Sequence, residues 1–519
     1  MPVDAVEPVG ADLSTLAEAL DAFVPAVLAA TGVPGATVAV VNRTGDSHTA
    51  AFGHADLAAG RRMQPDDVLA AGSMSKIYVA LAVMTMQQRG LLDIDRPVRD
   101  YLPDLRIVNP LGDTPVTAYH LLTHQSGLGT DTFDGGLRPP APLGDYLARR
   151  YDSGHRPEYG GVGALWTSPV GRYRYSTLGY GTLGHLVAFL DPDGLSYADH
   201  VAERIIAPMG LDSSAVPAHH TGVIAPPSLA GRMPVGYQQF GRWCVPTPHL
   251  YSGLYPAGAL ITTALDQARL VAAFLDPADS APVVTPSIAH LMREPHLAAA
   301  GPGEPPGLYQ GIGLEVHHPE SRWGHIGHAG AHPFGWWGDS RAYPALGYGC
   351  AVLTNGRDMI RYFNPPERSA SDLILDFVRR HVAGEATAER VATHSAVNSA
   401  RTMGLLMVER VRGLVGDATT LSQEQIADIA AGTRRMPDLA FDSFDPGEFT
   451  RGAEQMNGIP ATPEAIRALL ADPSTAGGTN TLNLLALAWG ASRPAFPAPH
   501  RYWADRAEEN TDMSADSDD

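Results

Sequence analysis

A serine and a lysine three residues apart are the first feature of this sequence that could support catalysis. Ser73 and Lys76 lie in the segment GSMSK, and Lys76 is the only lysine among 519 residues. The other cationic side chains are arginines, which cannot release a proton near neutral pH. Residues three apart share one face of a helical turn, so a desolvated lysine there can activate the serine. The pair predicts a Ser73 nucleophile with Lys76 as its base, although chance also produces such spacing.

The composition is that of an acidic globular chain. Its formal net charge is −19, and 44% of its residues are hydrophobic, enough for a sizeable core. The charge argues against nucleic acids and anionic membranes as partners, because both attract clustered cations. The two cysteines, Cys244 and Cys350, lie far apart in apolar surroundings, and a count of two does not suggest a disulfide framework. No basic segment leads into an apolar run near the N-terminus, which predicts a cytoplasmic protein.

The elements around the serine and lysine are those of an α/β unit. The run ATVAVV (36–41), a turn and the return SHTAAFG predict an early hairpin. A buried helix is predicted to hold Ser73 in its first turn. Towards the end of the unit, LGYGCAVLTNG (346–356) predicts a strand, and a helix capped by Ser369 or Ser371 follows it. Strands at both ends with helices between them indicate one unit that closes on itself.

The chain changes character after about residue 384, where strand signals end and an apolar helical stripe runs from Met403 to Leu414. We therefore expect a catalytic domain at 1–384, a mostly helical module at 385–503 and an acidic, disordered tail at 504–519. The apolar stripe must be buried somewhere. The module is accordingly predicted to cover an apolar face of the catalytic domain or to mediate a homodimer.

Several ordered segments resemble the serine β-lactamase and penicillin-binding-protein superfamily, specifically its branch of class C β-lactamases, esterases and D,D-peptidases. They span about residues 15–380 and read GVPGATVAVV, GSMSK, RGLLDIDRPVRDYLPDL, HLLTHQSGL, YRYSTLGYGTLG, YPAGALITTALDQARLVAAFL and GHAGAHPFGW with a later LTNG. The resemblance implies a β-lactamase-like α/β fold, with an antiparallel sheet flanked by helices plus a helical cluster. It also implies that Ser73 is acylated and that Lys76 accepts its proton. The helical C-terminal module lies outside it.

The second motif of that family, Tyr-x-Asn, is matched by a segment that begins at Tyr175 and ends at Thr177. The resemblance implies that the Tyr175 phenol relays protons to and from the leaving group. Thr177 stands where the family has an asparagine that contacts the amide side chain of β-lactams and peptides. This departure weakens a β-lactamase or peptidase assignment more than an esterase assignment.

The third motif of the family, Lys-Thr-Gly or His-x-Gly, aligns best with His328, two residues before Gly330, and a register starting at His325 competes with it. The resemblance implies a strand that lines the site, where Gly330 lets the substrate approach the backbone. It also implies that the N–H of Ala331 joins that of Ser73 in an oxyanion hole. His328 would supply a positive or a hydrogen-bonding group.

Two further patterns suggest sites that we do not favour. His325, His328 and His332 could look like metal ligands, but their glycine-rich spacing and the lack of a nearby acidic base argue against a metal. GYGTLG (179–184) matches a dinucleotide-binding pattern, yet no apolar strand precedes it. These glycines instead predict close packing behind Tyr175. No metal or cofactor is therefore expected.

The sequence predicts a serine hydrolase that works through an acyl-enzyme on a small-molecule ester or amide. A carboxylesterase acting on small esters is favoured. The alternatives are a D-amino-acid amidase or peptidase and a transacylase of secondary metabolism, and a β-lactamase fits less well. A non-catalytic binding protein on a decayed hydrolase scaffold is disfavoured, because Ser73, Lys76 and Tyr175 are all retained.

Overall fold

The computed structural model describes residues 13, 15–129, 135–136, 139–153, 165–240, 243–247, 249–299, 307–332, 335–357 and 369–385. The module expected at 385–503 lies outside these residues except for its first, and the expected tail at 504–519 lies outside them entirely. The predicted homodimer contact through that module falls there too. In the described part, no helix is both long and apolar enough to cross a membrane.

Most of the described strands belong to one large antiparallel sheet. The strands are β1 (Gly35–Asn42), β2 (Ser47–Asp56), β3 (Arg61–Arg62), β4 (Leu69–Gly72), β5 (Gly135–Gly136), β6 (Gly236–Phe240), β7 (Trp243–Thr247), β8 (Tyr251–Ser252), β9 (Leu260–Thr262), β10 (Leu297–Ala298), β11 (Leu308–Gln310), β12 (Glu315–His317), β13 (His325–His332), β14 (Trp336–Tyr343), β15 (Tyr348–Thr354) and β16 (Gly356–Arg357). Nine of them form the sheet, in the order β10-β11-β12-β13-β14-β15-β1-β2-β3. The first and last long strands, β1 and β15, pair directly, with Ala36 opposite Thr354. The prediction of an α/β unit closed on itself by an antiparallel sheet is confirmed.

Helices cover the sheet and form a cluster beside it. They are α1 (Leu16–Thr31), α2 (Ser75–Gln88), α3 (Val98–Tyr101), α4 (Ala118–Leu122), α5 (Leu143–Ser153), α6 (Thr177–Leu190), α7 (Tyr197–Val201), α8 (Pro227–Ala230), α9 (Tyr255–Gly258), α10 (Ala264–Ala272), α11 (Pro286–Arg293) and α12 (Ala370–Val382), with a short π-helix at Ala202–Ile206 and a 3₁₀-helix at His219–Thr221. Of the two predicted caps for α12, Ser369 is the one used. Its side chain accepts from the Asp372 backbone N–H in a capping box.

The strand β1 is buried on both faces, which explains why its sequence is a continuous apolar run. Val38 and Val40 belong to the core cluster that includes the apolar faces of α1 and α12. Ala39 and Val41 belong to the second and larger cluster, which extends to α2 and α10. The sheet thus separates a two-helix layer from the helical cluster that carries the Ser73–Lys76 segment.

The helix α2 begins two residues later than the sequence predicts. It starts at Ser75, and Ser73 lies in the turn that precedes it. In that turn the Lys76 backbone N–H donates to the Ser73 carbonyl at 3.0 Å. This bond joins residues three apart, so it closes a tighter turn than the four-residue spacing of an α-helix. Gly72 adopts a φ of 52° there, a left-handed conformation that glycine takes without strain. The chain therefore reverses sharply between β4 and α2, and Ser73 lies at the reversal.

Candidate active site

Ser73 and Lys76 are in direct contact. The Lys76 Nζ lies 3.0 Å from the Ser73 Oγ, within hydrogen-bonding distance. The same amine donates to the backbone carbonyl of Ala257, on α9, at 3.2 Å. Lys76 is fully buried, whereas Ser73 is partly exposed. An amine held this close to a hydroxyl can take its proton when the amine is neutral. The sequence did not predict the Ala257 carbonyl, because it comes from a distant part of the chain.

The neighbouring hydroxyl of Ser75 is used differently. Its Oγ donates to the Gly72 carbonyl at 2.5 Å and accepts the Leu260 backbone N–H at 3.0 Å. Ser75 is completely buried, and these two bonds tie the start of α2 to the start of β9. Ser75 is therefore a structural hydroxyl, and Ser73 is the serine that shares a hydrogen bond with the lysine.

The strand β13 runs against the segment that leads into Ser73. A Cβ atom built on Gly330 would lie 1.9 Å from the Ala71 carbonyl oxygen, so only glycine fits there. A Cβ atom built on Gly72 would lie 2.8 Å from the Ala331 backbone nitrogen. The Ala331 amide is thus adjacent to the residue before Ser73. This is the neighbourhood that an oxyanion hole built from the two backbone N–H groups requires.

Tyr175 approaches the same amine from the loop before α6. Its ring centroid lies 4.8 Å from the Lys76 Nζ, close enough for a cation–π contact when the amine is charged. Its ring also lies 6.4 Å from that of His328. Tyr180 has its centroid 5.7 Å from the same amine, but its hydroxyl donates to the Leu122 carbonyl at 2.6 Å. Burial raises the pKa of Tyr180 far above its usual range. The Tyr180 phenol is therefore neutral, and its proton is already donated to the Leu122 carbonyl.

Thr177 is the first residue of α6, directly after Ser176, whose side chain caps that helix by accepting from the Gly179 N–H at 3.2 Å. Thr177 is 9% exposed and lies two residues beyond Tyr175. The Tyr-x-Asn match of the sequence therefore coincides with a helix N-terminus, where serine and threonine are favoured for capping.

His328 is buried on β13, and its Nδ1 lies 2.5 Å from the Ala329 carbonyl oxygen. Burial lowers the pKa of His328, and Lys76 lowers it further, although Glu315, whose carboxylate lies 3.9 Å from the Nδ1, acts in the opposite direction. A neutral imidazole with its proton on Nδ1 leaves Nε2 as an acceptor. Of the two roles expected for His328, the hydrogen-bonding one fits this environment, and a positive charge does not.

The competing register at His325 is disfavoured by geometry. The ring of His325 stacks on that of His317 at 4.4 Å and packs against Tyr343 at 5.2 Å, and Tyr343 belongs to the cluster on the α1 and α12 side. His332, at the end of β13, packs its ring 4.8 Å from that of His249. The three histidines of the sequence pattern thus point to different neighbours. Within the described residues, no group of three or more histidine, cysteine or acidic side chains is placed to hold a metal ion.

The GYGTLG pattern lies inside α6 and serves helix packing. A Cβ atom on Gly181 would lie 2.5 Å from the Leu254 side chain, and one on Gly184 would lie 2.5 Å from the Pro256 side chain. These glycines let α6 pack closely against the segment that contains α9. Because α9 supplies the Ala257 carbonyl to Lys76, this packing also helps to define the site. The expectation of close packing behind Tyr175 agrees with the structure.

His124 lies at the site, although no motif in the sequence predicts a role for it. Its ring centroid lies 4.4 Å from that of Tyr175 and 5.0 Å from that of Tyr180. Burial lowers the pKa of His124 well below its usual range, and the nearby Lys76 and His328 lower it further. The segment HLLTHQSGL that contains His124 resembles the family, but no spacing rule connects it to Tyr175, 51 positions later. Only the folded structure brings the two rings together.

Comparisons with known proteins show the family to which this chain belongs. A sequence model of the family described as Beta-lactamase matches residues 20–374. Penicillin-binding protein 4 of Amycolatopsis lactamdurans is 29% identical over 347 residues, which cover 64% of this chain and 83% of that protein. Esterase EstB of Burkholderia gladioli is 42% identical over 126 residues, which cover 24% of this chain and 32% of the esterase.

Among solved structures, the octameric penicillin-binding protein homologue from Pyrococcus abyssi superposes with a TM-score of 0.59 at 22% identity. The match covers 72% of this chain and 79% of that chain, and it concerns the fold. The family match spans the hairpin, the Ser73–Lys76 turn, the Tyr175 loop and β13. The chain therefore belongs to the beta-lactamase family, whose members are serine hydrolases.

Proposed function

We propose that this protein is a carboxylesterase that cleaves small esters through an acyl-enzyme on Ser73. The observation that carries the proposal is the Lys76 Nζ, which lies 3.0 Å from the Ser73 Oγ and 4.8 Å from the centre of the Tyr175 ring. A nucleophile, a base and a second proton carrier therefore lie within one small volume. This is the arrangement that acyl transfer through a serine needs.

The reaction begins when Ser73 Oγ attacks the ester carbonyl and its proton passes to Lys76. The tetrahedral oxyanion is stabilised by the backbone N–H groups of Ser73 and Ala331. The carbon–oxygen bond to the alcohol then breaks, and the alkoxide takes a proton through Tyr175. Water attacks the acyl carbon in the second half, which releases the carboxylic acid and returns a proton to Ser73 Oγ.

Two observations favour esters over amides. Thr177 stands where the family has an amide-recognising asparagine, and its side chain cannot supply an NH₂ donor. The relative with the higher local identity, 42% over 126 residues, is named an esterase. An ester also presents no N–H that would need an acceptor in the site.

A second candidate is cleavage of an amide, as in a D-amino-acid amidase or peptidase, or transfer of the acyl group to an acceptor other than water. It is favoured by the relative named for binding penicillin, which matches over 83% of its own length. The two candidates share Ser73, Lys76 and Tyr175 and differ in the leaving group and in the acceptor.

The test is intact-mass spectrometry of the full-length chain after treatment with a fluorophosphonate, followed by peptide mapping. We expect one adduct, on Ser73, and none in a Ser73→Ala variant. An adduct on Ser75, or continued ester turnover by Ser73→Ala, would overturn the mechanism. Parallel panels of small esters, D-amino amides and β-lactams, with and without a second acyl acceptor, then separate the two candidates.

A further inference from the structure

We infer that His124 is a positioning residue that holds the Tyr175 phenol in place for proton transfer to the leaving group. The inference rests on the proposed role of Tyr175. It concerns a side chain that contacts Tyr175 and acts on the reaction through it.

His124 holds the chain on both sides of Tyr175. Its backbone carbonyl accepts the N–H of Arg174 at 2.7 Å. Its ring Nδ1 accepts the N–H of Ser176 at 3.1 Å. Arg174 and Ser176 immediately flank Tyr175, so the two hydrogen bonds hold the backbone on both sides of the tyrosine. We call this pair of bonds the clamp. The imidazole ring then packs against the tyrosine ring, with 4.4 Å between centroids.

The clamp requires a particular protonation state. Because Nδ1 accepts a hydrogen bond, the proton of the neutral imidazole lies on Nε2. A second proton on Nδ1 would face the Ser176 N–H and break the bond. The pKa of His124 is held well below its usual range by burial, and by Lys76 and His328 on neighbouring elements, although Glu315 opposes them. The imidazole therefore stays neutral at physiological pH, and the clamp stays closed.

The backbone of His124 is also unusual. Its φ is 57°, one of two positive values found for non-glycine residues in the described part of the chain, and the other, His318, lies in an exposed turn. His124 is 1% exposed, and its Nε2 is buried without a hydrogen-bond partner among the described residues. A left-handed backbone and an unsatisfied donor both cost stability. Such costs are typical of residues held in place for function.

The position of Tyr175 matters because proton transfer needs the donor and acceptor within about 3 Å of each other. A displacement of about 1 Å in an active site can reduce a rate about 100-fold. Loss of the clamp should therefore slow the step that needs the phenol. That step is protonation of the leaving group, which an alkoxide requires and a p-nitrophenolate does not.

The experiment compares two acetate esters, p-nitrophenyl acetate and ethyl acetate, with the full-length chain. In His124→Ala, we expect ethyl acetate hydrolysis to fall about 10- to 100-fold, while p-nitrophenyl acetate hydrolysis falls by less than about 3-fold. His124→Asn should recover most of the loss, because its Oδ1 takes the place of Nδ1 and asparagine tolerates positive φ. A purely structural role would slow both esters equally and would not be rescued selectively.

His120→Ala is the matched control. Its Nδ1 also accepts a backbone N–H, that of Thr117 at 3.2 Å, and it lies four residues before His124. We expect its ratio of ethyl to p-nitrophenyl hydrolysis to equal that of the wild type. If His124→Ala does not fold, His124→Gln is tested instead, because the side-chain oxygen of glutamine lies one bond farther from the backbone than the Nδ1 of histidine. His124→Gln should then show the selective loss of ethyl acetate hydrolysis.

Tyr175→Phe separates failure of this inference from failure of the proposed function. If a Tyr175→Phe variant hydrolyses ethyl acetate at the wild-type rate, Tyr175 does not have the proposed role, and the inference about His124 fails with it. If Tyr175→Phe loses that activity while His124→Ala keeps it, or if Asn fails to rescue in a folded protein, the clamp alone is wrong. Selective loss in His124→Ala with rescue by Asn supports it.

Discussion

At the scale of single residues, the proposed mechanism places its strictest chemical requirement on Lys76. Its amine is fully buried between the Ser73 hydroxyl and the Ala257 carbonyl. Arginine would keep a positive charge there, but a guanidinium cannot accept a proton from Ser73. We expect Lys76→Arg to slow acylation of Ser73 by about 10²- to 10⁴-fold, the usual range for loss of a general base. Single-turnover mass spectrometry of the acyl-enzyme measures this rate directly.

The control for Lys76→Arg must separate chemistry from packing. A larger side chain in a fully buried position can cost about 1–3 kcal/mol of unfolding free energy, so circular dichroism and thermal unfolding accompany the rates. Lys76→Ala offers a second comparison, because added methylamine should restore part of its rate if an amine is what the site lacks. A folded Lys76→Arg variant that acylates nearly as fast as the wild type would show that Lys76 is not the base.

Thr177 gives a prediction about selectivity. Thr177→Asn introduces an amide donor next to Tyr175, at the position where the family places one. We expect the ratio of amide to ester hydrolysis to rise on the order of tenfold, the worth of one good hydrogen bond. Thr177→Val is the control, because it removes the hydroxyl without adding an amide. An unchanged ratio in Thr177→Asn would mean that this side chain does not face the substrate.

The sequence predicted some of these residues better than others. Ser73 and Lys76 are close in sequence, so their contact follows from local geometry alone. Tyr175 and His328 became candidates only through family resemblance, because no local rule links them to Lys76. His124 and the Ala257 carbonyl were missed, since each reaches the site through packing between distant segments. A long-range contact of this kind leaves no periodic signal in a single sequence.

At the scale of elements, the junction of β4 and β13 positions the two backbone amides that we propose as the oxyanion hole. A Cβ atom at Gly330 would lie 1.9 Å from the Ala71 carbonyl oxygen, which belongs to the backbone and cannot move aside. We expect Gly330→Ala to lower the unfolding free energy by about 1–3 kcal/mol and to slow acylation at least about tenfold. Thermal unfolding and single-turnover acylation measure the two effects.

Gly231→Ala is the matched control for this substitution. A Cβ atom at Gly231 would meet no atom within 4 Å, and its φ of −68° suits alanine. We expect near-wild-type stability and rate. Equal behaviour of the two alanine variants would show that the strands do not approach as closely as the structure indicates.

The elements themselves were largely predictable, but their ends were not. The hairpin of β1 and β2 follows from a continuous apolar run and a turn, and α12 begins at one of its two predicted caps. The predicted start of α2 was two residues too early. The reason is physical, because the Gly72 reversal and the Ser75 bonds to Gly72 and Leu260 depend on β9, which lies far along the sequence.

At the scale of the whole molecule, buried histidines link stability to pH. Nine histidines in the described residues have a lowered pKa, chiefly because burial disfavours the charged ring: His48, His120, His124, His185, His200, His219, His249, His325 and His328. Burial lowers the pKa of His249 to about 4 and that of His219 to about 3. Below about pH 6.5 the unfolded chain therefore binds more protons than the folded chain does.

The sign of the effect follows from this difference. Since the unfolded state binds more protons between about pH 6.5 and pH 4, the unfolding free energy falls as the pH falls through that window. Each unit of lowered pKa is worth about 1.4 kcal/mol at most. Burial raises the pKa values of Asp266 and Asp339, and these two groups act in the opposite direction. They are outnumbered by the histidines, so the net stability should decline with acidification.

Thermal unfolding of the full-length chain at pH 7.5, 6.5, 5.5 and 4.5 tests this linkage. We expect a plateau above about pH 6.5 and a decline in Tm of several °C below it. His249→Gln should reduce the steepness of that decline, because it removes one neutral ring that the folded protein keeps unprotonated. His290→Gln, at an exposed position on α11, is the matched control for the substitution itself. A Tm that stays constant or rises from pH 7.5 to pH 5.5 would show that the buried rings find compensating partners on protonation.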